Sequence, residues 1–420
     1  MNQQRPPVTG AARGLRLGAA ALEAGGASLA AHLRPGSRDE WQAGRVMLKA
    51  LLQLRGAALK VAQFLSMEAD WLPPDAAQDF ARACQRVPPM SAAFARDTVC
   101  AELGSIESRF ASFDPEALAA ASLGQVHAAV TRAGRRVVVK IQYPGMREAI
   151  RSDMSLLRRA GGLLGSRALD PSLLGEIESR LLEECDYELE FRTLAWFGER
   201  LRVEGVSVPE PIVGLCGPSV LTIERMPGRH LDDWLAGAPS RRAREQAAQR
   251  LYDVFIASMW ELGRLHADPN PGNVLFQDDG RISLIDFGCT RWIAEDCQRI
   301  VQRIFRSALA HDDEAAHAVY LDMGLFKGLS ESQARDLDRR CMKPFRDWLA
   351  VPFMTERYDF GADPDFIPLG RTLFMRSFNG EALVGVRPEF VLVNRTLYGL
   401  YRLFERLGAR VRCQAAWVSP

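Results

Sequence analysis

The run from Leu265 to Thr290, LHADPNPGNVLFQDDGRISLIDFGCT, constrains the fold more than any other part of the chain. His266, Asp268 and Asn273 precede a short apolar strand, Val274 to Phe276. An Asp-Asp-Gly turn leads to a second strand, Ile282 to Ile285, and then to Asp286 in an Asp-Phe-Gly triplet. The pattern predicts a hairpin with acidic and amide groups at its two open ends. Asp-Pro, Pro-Gly and Asp-Asp-Gly are ordinary turn formers when met singly; the information lies in their order and spacing.

Phosphoryl transfer leaves a protein little covalent chemistry to do. It requires a carboxylate beside the nucleophile and oxygen ligands that hold magnesium against the phosphates. Asp268 suits the first task, and Asn273 and Asp286 suit the second. The spacing matches the protein-kinase pattern H-R-D-x-x-x-x-N followed by D-F-G, with Ala267 where the arginine would stand.

A chain of 420 residues has room for two lobes and extensions. Its net charge of +1, from 53 basic and 52 acidic residues, gives no global electrostatic reason to expect nucleic acid as a partner. Eight cysteines are scattered without a C-x-x-C pair, which fits reduced thiols in a cytoplasmic protein better than a disulfide frame or a zinc site. No run reaches the roughly 18–20 uncharged apolar residues that span a bilayer. Gly18 to Ala31 is short and interrupted by Glu23, with Arg13, Arg16 and Arg34 on its flanks. Residues 1–36 therefore read as a tail or an amphipathic helix, and any membrane contact as peripheral.

In chain order, Ser37 and Glu40 form a capping box for a long helix whose apolar positions Val46, Met47, Leu51, Leu54, Ala58, Val61 and Leu65 recur at threes and fours. Lys60 and Gln63 lie one turn apart on it; by composition alone such a pair is a solvated face. Ser91 caps a further helix through Leu103, so residues 37–109 form a helical extension. Strands begin at Phe110. The stretch Ala119-Ala120-Ala121-Ser122-Leu123-Gly124-Gln125-Val126-His127 joins two of them, and Val137-Val138-Val139-Lys140 is a third. This is the layout of a kinase small lobe, with a phosphate-covering loop in which alanine replaces glycine and Lys140 set to bind phosphate oxygens. Helices are expected at 146–164 and 171–202, and the second carries the acidic cluster in which Glu184 is the candidate partner for Lys140. Val220 to Gly228 suits a hinge strand, where the backbone around Glu224 and Met226 receives an adenine edge. A helix from Ser240 to Leu265 delivers the chain to Asp268, and residues 293–407 read as mostly helical. The division is a small lobe with inserted helices at 110–227 and a large helical lobe at 228–420.

Six motifs together resemble the UbiB or aarF-domain family of atypical protein-kinase-like proteins. They are Lys60-Val61-Ala62-Gln63 against the family's K-x-G-Q, A-A-A-S-L-G-Q-V-H, V-V-K-I-Q-Y-P-G around Lys140, E-C-D at Glu184 to Asp186, H-A-D-P-N-P-G-N, and the Asp-Phe-Gly triplet. The resemblance implies an α+β, atypical protein-kinase-like two-lobe fold, in which the K-x-G-Q helix crosses the cleft and makes Lys60 and Gln63 site residues. It implies that Glu184 pairs with Lys140, that Asp186 and Glu190 meet Lys60, and that the alanine loop sets nucleotide preference. ATP or ADP with Mg²⁺ is the implied cofactor. The implied role is a lipid-stimulated ATPase supporting ubiquinone biosynthesis, with a quinone-precursor lipid, a membrane surface or ubiquinone-biosynthesis proteins as partners. Ala62 departs from the motif glycine. The same constellation also serves a kinase acting on a small molecule or lipid, or a nucleotide-gated scaffold, because fold and motif do not establish turnover.

Overall fold

The valine run at 137–139 lies within a four-stranded antiparallel sheet in the computed structural model, which describes residues 91–121, 123–164, 171–378, 387–413 and 417. The expected helices before Ser91, with Lys60 and Gln63, and the loop residue Ser122 lie outside the described residues. The chain divides into two units, one running to Phe191 and adding Pro211–Arg225, the other taking Arg192–Glu210 and everything from Met226.

In the first unit Ser91 accepts a hydrogen bond from the Phe94 N–H at 3.4 Å and starts α1, Ala92–Leu103. Strands β1 (Phe110–Ala121), β2 (Gly124–Thr131), β3 (Arg136–Gln142) and β4 (Val220–Glu224) form the sheet in the order β1-β2-β3-β4. Alternation sends Val137, Val139 and Ile141 of β3 into a core with Ala95, Val99 and Leu103 of α1, Phe110, Ala129 and Val220. Lys140 and Gln142 fall on the opposite face.

The alanine run is strand rather than open loop. Ala119, Ala120 and Ala121 pair with Val126, Gln125 and Gly124, so β1 and β2 meet in a tight hairpin. Gly124 is required by close approach, since a methyl group there would run into the Ile141 carbonyl oxygen. Gln125 and His127 stand opposite Ile141 and Val139 and therefore share the core face. They satisfy one another there: their side-chain nitrogens are 2.7 Å apart, while His127 Nδ1 lies 2.9 Å from the Asp114 carbonyl and the ring stacks on Phe113. A carbonyl only accepts, so Nδ1 carries the proton and Nε2 accepts from the Gln125 amide.

α2 spans Met146–Leu164 as expected. The single helix expected over 171–202 is two, α3 (Pro171–Glu184) and α4 (Tyr187–Arg200). Asp186 makes the break by accepting from the Leu189 N–H at 2.9 Å, an N-cap hidden inside an acidic run.

In the second unit α5 is Leu231–Ala236, and α6, Arg241–Ile256, starts on Ser240, whose hydroxyl accepts from the Ala243 N–H at 3.1 Å. The helix expected to reach Leu265 ends early in a π-turn, Ala257–Glu261. Gly263, at φ +63°, then redirects the chain into a strand, β5 (Arg264–His266). β6 (Val274–Phe276) and β7 (Ile282–Leu284) form the predicted hairpin, to which the two-residue strand Val206–Ser207 adds in parallel, and β8 (Thr290–Trp292) pairs with β5. Helices then dominate: α7 (Glu295–Leu309), α8 (Asp313–Asp322), α9 (Glu331–Leu337), α10 (Lys343–Ala350), α11 (Phe366–Phe378) and α12 (Pro388–Leu407). Among the described residues no helix is long and apolar enough to cross a membrane.

Burial holds the His127 imidazole below its ordinary pKa. The folded state therefore binds its proton less readily than the unfolded chain, so the stabilising difference is present above the unfolded imidazole pKa, about 6.5, and is lost as pH falls below it. Urea unfolding of the wild-type chain between pH 7 and pH 5 is expected to lose stability more steeply than that of His127→Gln. Parallel pH profiles would contradict this.

Candidate active site

Lys140 leaves the sheet on the face away from α1 and meets Glu190 Oε1 at 2.5 Å, with side-chain exposures of only 11% and 9%. The Tyr187 ring lies 5.9 Å from its Nζ. Gln142 of the same strand donates to the Cys185 carbonyl at 3.1 Å and thereby ties β3 to the break between α3 and α4. Arg147 adds a 3.4 Å bond to that carbonyl and lies 3.8 Å from Asp186. The sequence pointed to Glu184 as the partner of Lys140 and set Glu190 against Lys60; the structure sets Glu190 beside Lys140. The two acids lie on either side of a helix break: Glu184 closes α3, and Glu190 sits in the first turn of α4. Asp186, expected opposite Lys60, spends one oxygen on the cap. Of the hinge residues, Glu224 ends β4 opposite Val137, and Met226 opens the second unit.

In the second unit Asp268, Asn273 and Asp286 flank the hairpin's open end. Val274 pairs with Leu284 and Phe276 with Ile282, and the Ile285 N–H donates to the Asn273 carbonyl at 2.9 Å, closing the hairpin beside Asp286. Asn273 Nδ2 donates to Asp268 Oδ2 at 2.7 Å, and the Asn270 N–H reaches Asp268 Oδ1 at 3.3 Å. An ionised carboxylate only accepts, so the amide nitrogen must face Asp268 and the amide oxygen is turned outward. Asp286 Oδ1 accepts from the Gly288 N–H at 2.9 Å, and its carbonyl lies 2.9 Å from His266 Nε2. The Ala267 N–H donates to the Cys289 carbonyl at 3.0 Å. All three side chains are half-buried.

This donor set has the chemistry of a magnesium site completed by a nucleotide. Among the described residues no cluster of three or more His, Cys, Asp or Glu is arranged to hold a metal ion. Magnesium keeps several waters and is commonly bound through one or two carboxylates plus substrate phosphates rather than in an all-protein cage. One carboxylate, Asp286, and one outward amide oxygen, Asn273, fit that mode.

Sequence reading missed two supports. Phe287 of the triplet is buried against Phe197, with ring centroids 5.0 Å apart, and stands edge-on to His266 at 5.2 Å. Pro269, next to Asp268, packs so closely on Gly399 of α12 that a methyl group there would strike the Pro269 ring. The one local signal was a glycine inside an amphipathic helix, a residue that costs about 0.5–1 kcal/mol relative to alanine and so calls for a reason.

Removing one partner of a buried ion pair leaves the other uncompensated. Glu190→Gln is accordingly expected to cost about 3 kcal/mol in urea unfolding. An unchanged urea midpoint would contradict a stabilising role for the pair.

Residues 82–320 match the ABC1 atypical kinase-like domain. The chain is 28% identical over 372 residues to "Atypical kinase COQ8, mitochondrial" of Saccharomyces cerevisiae, covering 86% of this chain and 72% of that protein. It is 30% identical over 401 residues to "Probable protein kinase UbiB" of Pseudomonas putida, covering 89% and 69%. A nematode relative, "Atypical kinase coq-8, mitochondrial" of Caenorhabditis elegans, is 29% identical and half covered, at 50% of its length. Among solved structures, the Rv3197–erythromycin complex from Mycobacterium tuberculosis superposes with a TM-score of 0.63 at 24% identity, covering 91% of this chain and 100% of that one, which shows the fold. On these matches and motifs, the chain belongs to the ABC1 atypical kinase-like family and has its mixed α/β, kinase-like fold.

Proposed function

We propose that this chain binds ATP or ADP with Mg²⁺ and hydrolyses ATP in support of prenyl-quinone biosynthesis. The observation that carries the reading is the oxygen and amide cluster at the hairpin's open end, where Asp268 fixes Asn273 and the main chain sets Asp286 beside it. Asn273 and Asp286 hold the cation. When bound, magnesium neutralises phosphate charge as it develops. Asp268 orients the attacking water through the oxygen not committed to Asn273, and accepts its proton. Lys140, aimed by Glu190, binds phosphate oxygens. Backbone groups from Glu224 to Met226 receive the adenine, and Ala119 to Ser122 cover the phosphates. Lys60 and Gln63 close the cleft against bulky substrates, with Asp186 opposite.

The segment after Asp286 supports hydrolysis over phosphorylation of proteins. α7 begins nine residues after Asp286, and most of that interval is β8 and its approach. It is too short for the long activation segment on which kinases seat a peptide. The quinone role follows from the family resemblance and from relatives named "Atypical kinase COQ8" and "Probable protein kinase UbiB". By the same resemblance the partners are a quinone-precursor lipid at a membrane surface and other ubiquinone-biosynthesis proteins.

Two measurements test the reading. Asp286→Asn should abolish Mg²⁺-dependent binding of a fluorescent ATP analogue while leaving the thermal midpoint near the wild-type value; unchanged binding would remove the metal assignment. With γ-labelled ATP, label should appear as inorganic phosphate, with negligible transfer to added peptides. Label in a small molecule or lipid would instead establish a kinase on that acceptor, and gene deletion followed by quinone measurement would check the biological role.

A further inference from the structure

Arg264 stands two residues before His266 and has no part in the chemistry above. Its guanidinium carbon lies 5.2 Å from the Trp196 ring, 5.3 Å from the Trp292 ring and 5.7 Å from the Phe197 ring. The two indoles meet edge to face at 5.3 Å and 74°. Arg264 Nε donates to Thr290 Oγ1 at 3.2 Å and Nη2 to Thr193 Oγ1 at 2.7 Å. Among the described residues it has no carboxylate partner. Three elements thus converge on one side chain: Thr193, Trp196 and Phe197 from α4, Arg264 from β5, and Thr290 and Trp292 from β8.

Two facts make this more than surface decoration. β5 and β8 form an isolated ribbon of three residues each, and a two-stranded ribbon is marginal without help. Yet β5 leads into Asp268, and β8 follows directly on the Asp286 triplet. Arg264 and Trp292 are the directly paired residues at the far end of that ribbon. Trp292 is 61% exposed, an arrangement that would be costly for an idle indole and is explained by the cation it covers. A planar guanidinium can lie against two rings and still point its fork at two hydroxyls, which an ammonium cannot do.

We propose that Arg264 is a positioning residue: clamped by Trp196 and Trp292, it locks β5 to β8 and to α4, and so sets Asp268 and Asp286 in register with each other. Its importance for turnover rests on the phosphoryl-transfer reading of those two carboxylates; its effect on the backbone does not. Partial burial lowers the Arg264 pKa, which marks a cation desolvated without an acid to compensate it, and the rings supply what compensation there is.

Hydrogen exchange of the full chain tests the clamp directly. In Arg264→Gln the amides of Ala267 and Gly288 should exchange about tenfold faster than in wild type, while those of β2 and β3 change by less than about twofold. Arg264→Lys should fall between the two. If Arg264→Gln does not fold, Trp292→Leu removes one jaw only and should show the same local pattern. Unchanged exchange at Ala267 and Gly288, or acceleration spread evenly over the chain, would overturn the proposal. In turnover, Arg264→Gln should lower kcat about tenfold with the nucleotide KM within about twofold; a proportional loss explained by unfolded protein would count against positioning. Absence of nucleotide binding in the wild-type chain would remove the phosphoryl-transfer reading and leave the exchange result standing.

Discussion

The closure of the β6/β7 hairpin, where the Ile285 N–H meets the Asn273 carbonyl, is the constraint on which the chemistry depends. One such bond contributes only about 1 kcal/mol net, so its importance is not energetic. It fixes register. A slip of one residue would send every side chain of the strand to the other face, and Asn273 and Asp286 would part. The neighbouring bonds guard that register from both sides: His266 holds the Asp286 carbonyl, and Ala267 holds Cys289. Pro269 pressed on Gly399 then limits where Asp268 can go.

The first unit solves a different problem, that of placing polar groups within a small sheet. One face of β3 supplies Val137, Val139 and Ile141 to the core, and the other supplies Lys140. A buried ammonium is costly unless paired. Glu190 provides the pair, and the Gln142 bond to Cys185 keeps the start of α4 where Glu190 can reach. On the core face Gln125 and His127 answer each other. These two signature residues therefore help maintain the sheet that carries Lys140.

Much of this was legible in the residues. Turn formers and β-branched runs gave the hairpin and β3, and Ser91 and Ser240 located the starts of α1 and α6. What was not legible shares a cause, the absence of a local signal. Alanine carries no side-chain period, so Ala119 to Ala121 looked like loop although they pair as strand. Asp186 caps a helix from within a run of acids, where no single acid stands out, and with the break unseen nothing pointed to Glu190 as a neighbour of Lys140. Arg264 and its rings come from positions 193 to 292, and nothing along the chain links them before it folds.

The break at Asp186 divides the acidic segment into parts with different freedom to evolve. A helix turns about 100° per residue, so adding or deleting one residue between Asp186 and Glu190 would swing the carboxylate away from Lys140. The same change on the far side of the cap would be absorbed where the chain is already interrupted. The interval from Asp186 to Glu190 is thus a ruler whose length is set by geometry.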